Sequence, residues 1–284
     1  AALQAGEIDW WEQPTADLLP TLRRRQGVTV DVIDTLGYHA VMRFNHLLPP
    51  FNNAAIRRAL LGAFSQDDMM MAVAGEDRKM WFTGVGYFTP ASPLANSAGL
   101  EALTSPRNLD QVKKNLAAAG YNGERFNMLV PTDLPAINAM SEVAGDVFRK
   151  LGMNLDYVTL DWGATAQRLL SKAPLAQGGW SVNCNYAPGF APMSPAAHGF
   201  LRGTGQNALF GWPDMPKVEA HRTAWIESTD PAEQKRICEE LQQQAFQDVP
   251  YIPLSGFYFA SACRSNLSGL IKGGIPLFYN VKKA

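Results

Sequence analysis

The residues best suited to holding a small molecule lie in one uncharged run. From Ala173 to Leu201 the chain has no Asp, Glu, Lys or Arg over 29 residues, yet it carries Trp180, Ser181, Asn183, Asn185, Tyr186, Phe190 and four prolines. Ligand pockets are lined by aromatic and apolar groups, with a few neutral polar groups that set orientation. Trp180, Tyr186 and Phe190 suit the first role through stacking and shape; Ser181, Asn183 and Asn185 suit the second as hydrogen-bonding groups. A buried strand accounts for Gly179 to Cys184. The continuation Asn185-Tyr186-Ala187-Pro188-Gly189-Phe190 lacks strand alternation, and a fully buried loop would leave its backbone groups without partners. A cleft wall explains both halves, and a strand end followed by a surface loop is the alternative.

Covalent chemistry finds little footing. There is no Gly-x-Ser-x-Gly elbow, no local Cys and His signature and no His-Glu-x-x-His helix. Gly84-Val85-Gly86 lacks the third glycine and the strand-to-helix setting of a dinucleotide fingerprint, so it reads as a turn. Cys184, Cys238 and Cys263 have no metal-ligand spacing between themselves or to His39, His46, His198 and His221, so neither metal nor cofactor is expected. The three cysteines read as buried thiols, with a single Cys238 to Cys263 bridge as the alternative. An enzyme using the uncharged cleft stays open as a second function class, for which the run supplies only His198 and Cys184.

The composition narrows the partners. The 284 residues are 46% hydrophobic and 18% charged, with 25 Lys plus Arg against 26 Asp plus Glu and a net charge of −1. A nucleic-acid grip needs a basic excess, and the densest basic run is only Arg23, Arg24 and Arg25, so nucleic acid is set aside. Every hydrophobic stretch is broken by charge, Gly or Pro before the ~20 residues that span a bilayer. The opening Ala1-Ala2-Leu3-Gln4-Ala5-Gly6 has no initiator Met, basic region or apolar signal core, which suggests a start after processing or inside a longer protein.

The elements that must position the uncharged run alternate between strand and helix. Strands are expected near Ile8 to Trp11, at Val28 to Ile33 and at Tyr38 to Phe44, with a helix over Ala16 to Arg24. Asn52 or Asn53 caps a helix with Ile56, Ala59, Leu60 and Ala63 on one stripe, and Gln66 to Ala74 forms another. Residues 75 to 107 lack periodicity and form a long ordered loop lying over something. Then Asn108 caps a helix, Phe126 to Val130 is a strand, 135 to 151 a helix, Met153 to Leu160 a strand, and Asp161 caps a helix reaching Lys172. This is the βαβ rhythm of a parallel or mixed sheet, an α/β lobe. Asp230-Pro231-Ala232-Glu233 opens a helix ending before Pro250, Tyr251 to Cys263 is extended, and Ile275 to Val281 is a last strand candidate.

Several segments, in order, resemble the periplasmic solute-binding proteins of the dipeptide, oligopeptide and nickel ABC-importer family. They are Ala2-Leu3-Gln4-Ala5-Gly6-Glu7-Ile8-Asp9, Pro49-Pro50-Phe51-Asn52-Asn53 through Ile56-Arg57-Arg58-Ala59-Leu60, Leu116 to Tyr121, Phe148 to Met153, Thr159-Leu160-Asp161-Trp162, and Asp248 to Leu254. The resemblance implies a type II, dipeptide-binding-protein-like α/β fold. Because family members are about twice this length, it implies a C-terminal portion: residues 1–37 a remnant of lobe one, 38–255 the second ligand-binding lobe, and 256–284 a hinge return with a last strand of lobe one. About 210 residues is ample for a core.

The resemblance further implies a periplasmic, non-enzymatic protein, monomeric at full length. It would trap a peptide or other small polar solute between two lobes and deliver it to an ABC permease in the inner membrane. A sensing module that docks a receptor through the same closed surface is a third class. In peptide binders an acidic residue just after the Trp matching Trp180 holds the ligand amino group, and Asn183 stands near that place. In dipeptide binders an Arg after the strand matching Phe126 to Val130 holds the carboxylate, and Pro131-Thr132-Asp133-Leu134-Pro135 offers none. Each missing charge-assisted contact is worth about 1.5–3 kcal/mol, which points away from a free zwitterionic dipeptide.

Overall fold

The computed structural model describes residues 2–284; Ala1, the first residue of the expected lobe-one remnant, lies outside them. The helices are α1 (Ala2–Ala5), α2 (Leu19–Arg23), α3 (Ala54–Ala59), α4 (Gln66–Ala74), α5 (Glu101–Thr104), α6 (Leu109–Ala118), α7 (Pro135–Lys150), α8 (Trp162–Leu169), α9 (Pro216–Glu227) and α10 (Pro231–Asp248). The strands are β1 (Trp10–Trp11), β2 (Val28–Asp31), β3 (Tyr38–Phe44), β4 (Trp81–Phe82), β5 (Phe126–Pro131), β6 (Leu155–Leu160), β7 (Val182–Pro188), β8 (Tyr251–Phe257), β9 (Ser261–Arg264), β10 (Leu267–Ser268) and β11 (Lys282–Lys283).

Six strands form the main sheet in the order β4-β8-β3-β7-β5-β6. β5 runs parallel to β6 and β7, while β3 is antiparallel to both β7 and β8. The register sets Tyr38 against Pro188 on one side and Phe257 on the other. The carboxyl ends of β5, β6 and β7 therefore meet the start of β3 and the end of β8 along one edge, the position where open α/β sheets hold ligands. Both middle strands are buried on both faces, so β3 reads as a near-continuous apolar run rather than an alternation.

The larger core lies on the sheet face packed by α4 and α7, where Met42, Phe44, Phe126, Met140 and Phe148 meet. The opposite face carries a smaller cluster of Leu129, Leu169, Trp180 and Trp212. A separate three-stranded sheet, β1-β9-β2, packs Ala262 with Leu3 and Leu22. The chain passes between the two sheets at residues 32–37 and 258–260.

Local signals are read out where polar side chains close helix ends. Asn53 accepts from Ala55 N at 2.9 Å and also donates to Ala119 O at 2.9 Å, tying the start of α3 to the end of α6. Asn53→Ala is expected to cost ~1 kcal/mol, the usual effect of removing an N-cap, measurable as a lower urea midpoint. The buried Arg57 donates to Val249 O at 3.0 Å, at the end of α10, and to Phe51 O at 2.6 Å, just before α3.

Residues 75–107 are ordered and do lie over something. Gln66 donates to Val85 O at 2.8 Å and accepts from Gly84 N at 2.8 Å, while Gln242 accepts from Tyr87 N at 3.0 Å and donates to Ala98 O at 3.0 Å. Two buried glutamines thus pair the loop's backbone in place of a ladder. Within it β4 joins the sheet edge and α5 makes one turn, elements too short to leave a periodic signal.

One expectation is corrected. Ile275 to Val281 is not a strand: Pro276 lacks a donor, the only terminal ladder pairs Leu267 with Lys283 and Ser268 with Lys282, and Tyr279 is 82% exposed. All three cysteines are buried free thiols, as expected, and the alternative Cys238 to Cys263 bridge does not form. Cys238 sits on α10 and Cys263 on β9 of the other sheet, and burial pushes their thiols up to about 12 and about 11.

Candidate functional site

β7 sorts the six candidate residues by depth. Trp180, Ser181 and Asn183 are each 0% exposed, at the end of the strand far from the sheet junction. The Trp180 ring packs against Phe210 and Trp212, both at 6.3 Å, and its Nε1 donates to Leu169 O at 3.0 Å. Ser181 N donates to Asn127 Oδ1 at 2.8 Å, and Asn183 Nδ2 donates to Leu129 O at 3.3 Å. In this structure these three offer a ligand no surface. Their lack of charge follows from enclosure on both faces of the sheet, and the stacking expected of Trp180 is directed at the lobe's own aromatic rings.

The other three lie toward the junction. Asn185 accepts from Tyr186 N at 2.8 Å. Tyr186, half-buried, enters an aromatic cluster with Tyr38 at 5.3 Å, Phe257 at 5.5 Å and Phe259 at 5.8 Å. Phe190 follows Gly189, whose N–H donates to Gly37 O at 2.7 Å and where a Cβ would collide with Leu36 O. Glycine lets the backbones touch there, and Phe190, 44% exposed, is presented beside the crossing.

A cleft of about 140 Å³ opens at the same place, between the two sheets. Gln13 and Leu19 line it from the smaller unit, Ala74, Leu134 and Tyr186 from the larger, and Phe259 from the crossing segment. None of its lining residues is Asp, Glu, Lys, Arg or His. Gln13 Nε2 donates to the Tyr38 hydroxyl at 3.2 Å, joining the two walls. Burial raises the phenols of Tyr38 and Tyr186, so both are neutral hydrogen-bonding groups at pH 7.

Sequence reasoning missed Gln13, Tyr38, Leu134 and Phe259. A signal existed in Phe257-Tyr258-Phe259, three consecutive aromatics, but any strand buried on both faces produces the same run.

Catalytic and metal chemistry gain no geometry from the run. Burial pushes the Cys184 thiol up to about 12 and holds His198 well below its ordinary value, with His198 Nε2 at 2.8 Å from the Tyr251 hydroxyl. A protonated thiol and an enclosed imidazole make a poor nucleophile and base. Among the described residues no three His, Cys, Asp or Glu side chains converge as a metal site, and no helix is long and apolar enough to cross a membrane.

Residues 1–200 match the family described as bacterial extracellular solute-binding proteins, family 5 middle. The chain belongs to that family. Among curated relatives of this chain, the probable peptide ABC transporter periplasmic-binding protein y4tO of Sinorhizobium fredii is 29% identical over 299 residues, covering 100% of this chain and 53% of the relative. The glutathione-binding protein GsiB of Pectobacterium atrosepticum is 25% identical, covering 95% of this chain and 52% of its own. The solute-binding chain thus spans about half the length of the curated relatives it matches.

Solved structures agree on the fold. NikA from Staphylococcus aureus, in complex with Ni(L-His)2, superposes with a TM-score of 0.81 at 14% identity, over 100% of this chain and 59% of that one. A dipeptide-binding protein from Pseudoalteromonas, in complex with Met-Leu, gives 0.75 at 19% identity, over 100% and 55%. The fold is that of the type II periplasmic binding proteins.

Proposed function

We propose that this chain is the second lobe, with part of the first, of the substrate-binding component of an ABC importer. In this reading residues 38–255 form the lobe, 1–37 and 256–284 belong to its partner lobe, and a peptide or other small polar solute is held between them. Capture needs no covalent chemistry, and the closed form is what a membrane permease recognises in the periplasm.

The observation that carries the reading is the uncharged aromatic cleft at the carboxyl edge of the main sheet, walled on its far side by the segment from Gln13 to Leu19. A ligand seated there touches both bodies at once, so occupancy and lobe closure are coupled. Tyr186, Phe257 and Phe259 are its aromatic contacts; Asn185, which projects to the other face of β7, and Phe190, beside the crossing, lie outside its lining, and Trp180, Ser181 and Asn183 hold the strand that presents Tyr186.

The test is calorimetric titration of the two-lobed protein with short peptides, blocked peptides and polar solutes. Tyr186→Ala is expected to weaken binding at least tenfold, about 1.4 kcal/mol, while the protein stays folded. Unchanged affinity in that variant, or turnover of a bound compound, sinks this assignment of the cleft.

A further inference from the structure

Arg43 is 1% exposed, and its Nε and Nη1 have no hydrogen-bond partner. The rings of Phe200 and Phe210 lie 4.4 and 4.2 Å from its guanidinium carbon. Stacking of this kind satisfies the faces of the cation but none of its N–H groups. No acidic side chain is among the groups acting on it; the one charge interaction comes from the Tyr251 phenol. Burial pushes Arg43 down to about 9, so it stays charged at neutral pH.

The strand register places Arg43 opposite Asn183 on β7 and Tyr251 on β8. Directly opposed residues of antiparallel strands project to the same face. On that face Asn183 Oδ1, both ring nitrogens of His39 and Nδ1 of His198 are also unpartnered. Buried polar groups are bonded in the great majority of cases, so six orphans in one layer are a pointed exception. The charged and titratable groups at the layer are Arg43, His39, His46, His198, Arg222 and Tyr251, with Glu219 at 3.5 Å from Arg222 Nε. The unpartnered Nε and Nη1 of Arg43 are donors without an acceptor, Asn183 Oδ1 is an acceptor, and the nearby carboxylate of Glu219 faces Arg222 and Arg202 instead of Arg43. An ionised carboxylate supplies acceptors only and matches a guanidinium best.

A strap of residues 198–212 covers the layer and carries both Phe200 and Phe210. It contains two short turns, Gly199–Leu201 and Gly205–Asn207, bends at Gly205 and Gly211, where φ is 59° and 99°, and is tied down by His46 N donating to Gly211 O at 2.8 Å and by a bridge between Thr204 and Asp214. A segment held by turns, one bridge and single tethers instead of a continuous ladder opens more readily than the sheet beneath it. Tyr186 alternates to the other face of β7, so the layer is separate from the cleft at the junction.

We propose that the unpartnered N–H groups of Arg43, opposite Asn183, form a carboxylate-binding site beneath the 198–212 strap. The carboxylate is either a free small anion or the acid end of a larger solute. This site goes beyond the importer reading and does not depend on it.

The test uses the full chain labelled with ¹⁵N, following arginine Nε–H signals during titration with sodium acetate and with acetamide at constant ionic strength. Acetate should move one arginine signal saturably, and that signal should be missing from Arg43→Lys; acetamide should not move it. At ten times its Kd, acetate should raise Tm by about 3 °C. Asn183→Asp supplies the carboxylate from within, so it should raise Tm and abolish the acetate response. It also serves as the second variant should Arg43→Lys not fold.

Succinate tighter than acetate identifies the acid end of a larger solute, and acetate tighter than succinate identifies a free small anion; both support the site. No response of the Arg43 signal to 100 mM acetate, an equal response to acetamide, or a lower Tm in Asn183→Asp overturns it. Acetate binding at Arg43 without any solute binding at the cleft would leave this site standing while the importer reading falls. Solute binding at the cleft with Arg43 silent would do the reverse.

Discussion

Replacing Trp180 with alanine is expected to remove about 3–5 kcal/mol of stability, the range for truncating a fully buried large aromatic. The side chain is wholly enclosed, and its Nε1 bond to Leu169 O fastens the end of α8 to the sheet. Truncation opens a void among Leu129, Leu169 and Trp212 and leaves Leu169 O without that donor. Against a total of ~5–15 kcal/mol for a typical domain, this is a large share. A urea series at pH 7 reads it as a lower midpoint with an unchanged slope. A loss below about 1 kcal/mol, accompanied by loss of ligand binding, would return Trp180 to the cleft. Because the expected loss is so large, weakened binding in a Trp180 variant cannot be assigned to ligand contact. The half-buried Tyr186 is the cleaner probe.

Acid should destabilise the protein through its buried histidines. Burial holds His39 down at about 4 against an ordinary value of 6.5, and His198 and His46 are both shifted well down, burial again being the largest cause. Below pH 6.5 the unfolded chain protonates these rings while the native state keeps them neutral. The unfolded state then binds more protons, so stability falls as pH falls, and the loss from His39 levels off below its folded value near 4. His39 alone accounts for about 3 kcal/mol by pH 4, with His198 and His46 adding in the same direction. Urea midpoints between pH 7 and pH 4 measure it. His39→Gln should flatten the profile by about that amount; an unchanged profile would mean that the His39 ring is protonated in the native state.

Much of the architecture was legible because its signals are local. Gln66 to Ala74, Tyr38 to Phe44 and the Asp230-Pro231 helix start fall where the sequence puts them, each set by a cap, a proline or a side-chain period. What could not be read depended on partners far along the chain. β4 exists only because Trp81 finds Phe257, and the loop around it is held by glutamines whose role depends on what lies opposite. Ile275 to Val281 had strand-like residues and no neighbouring strand to pair with.

The candidate site divided in the same way. The absence of charge from 173 to 201 correctly signalled a special environment, but burial between two packed faces and exposure to a ligand remove charge alike. Only the register of β7 separates Trp180, deep in the lobe, from Tyr186 at the junction. Arg43 carried no sequence signal at all, since an arginine on a strand ordinarily reads as a solvated edge.

The pairing of β3 with β8 also governs how this protein can be made. β3 and β8 pair Arg43 with Tyr251, residues separated by nearly the whole lobe. A ribosome adding 5–20 residues per second delivers β8 roughly 10–40 s after β3. Until then β3 has β7 on one side and an open hydrogen-bonding edge on the other, at what will become the centre of the sheet. Pairings of such long range are slow and leave apolar strands available to other chains. The lobe is therefore completed by one of its last strands, and a chain interrupted before Tyr251 is an aggregation hazard rather than a smaller working unit.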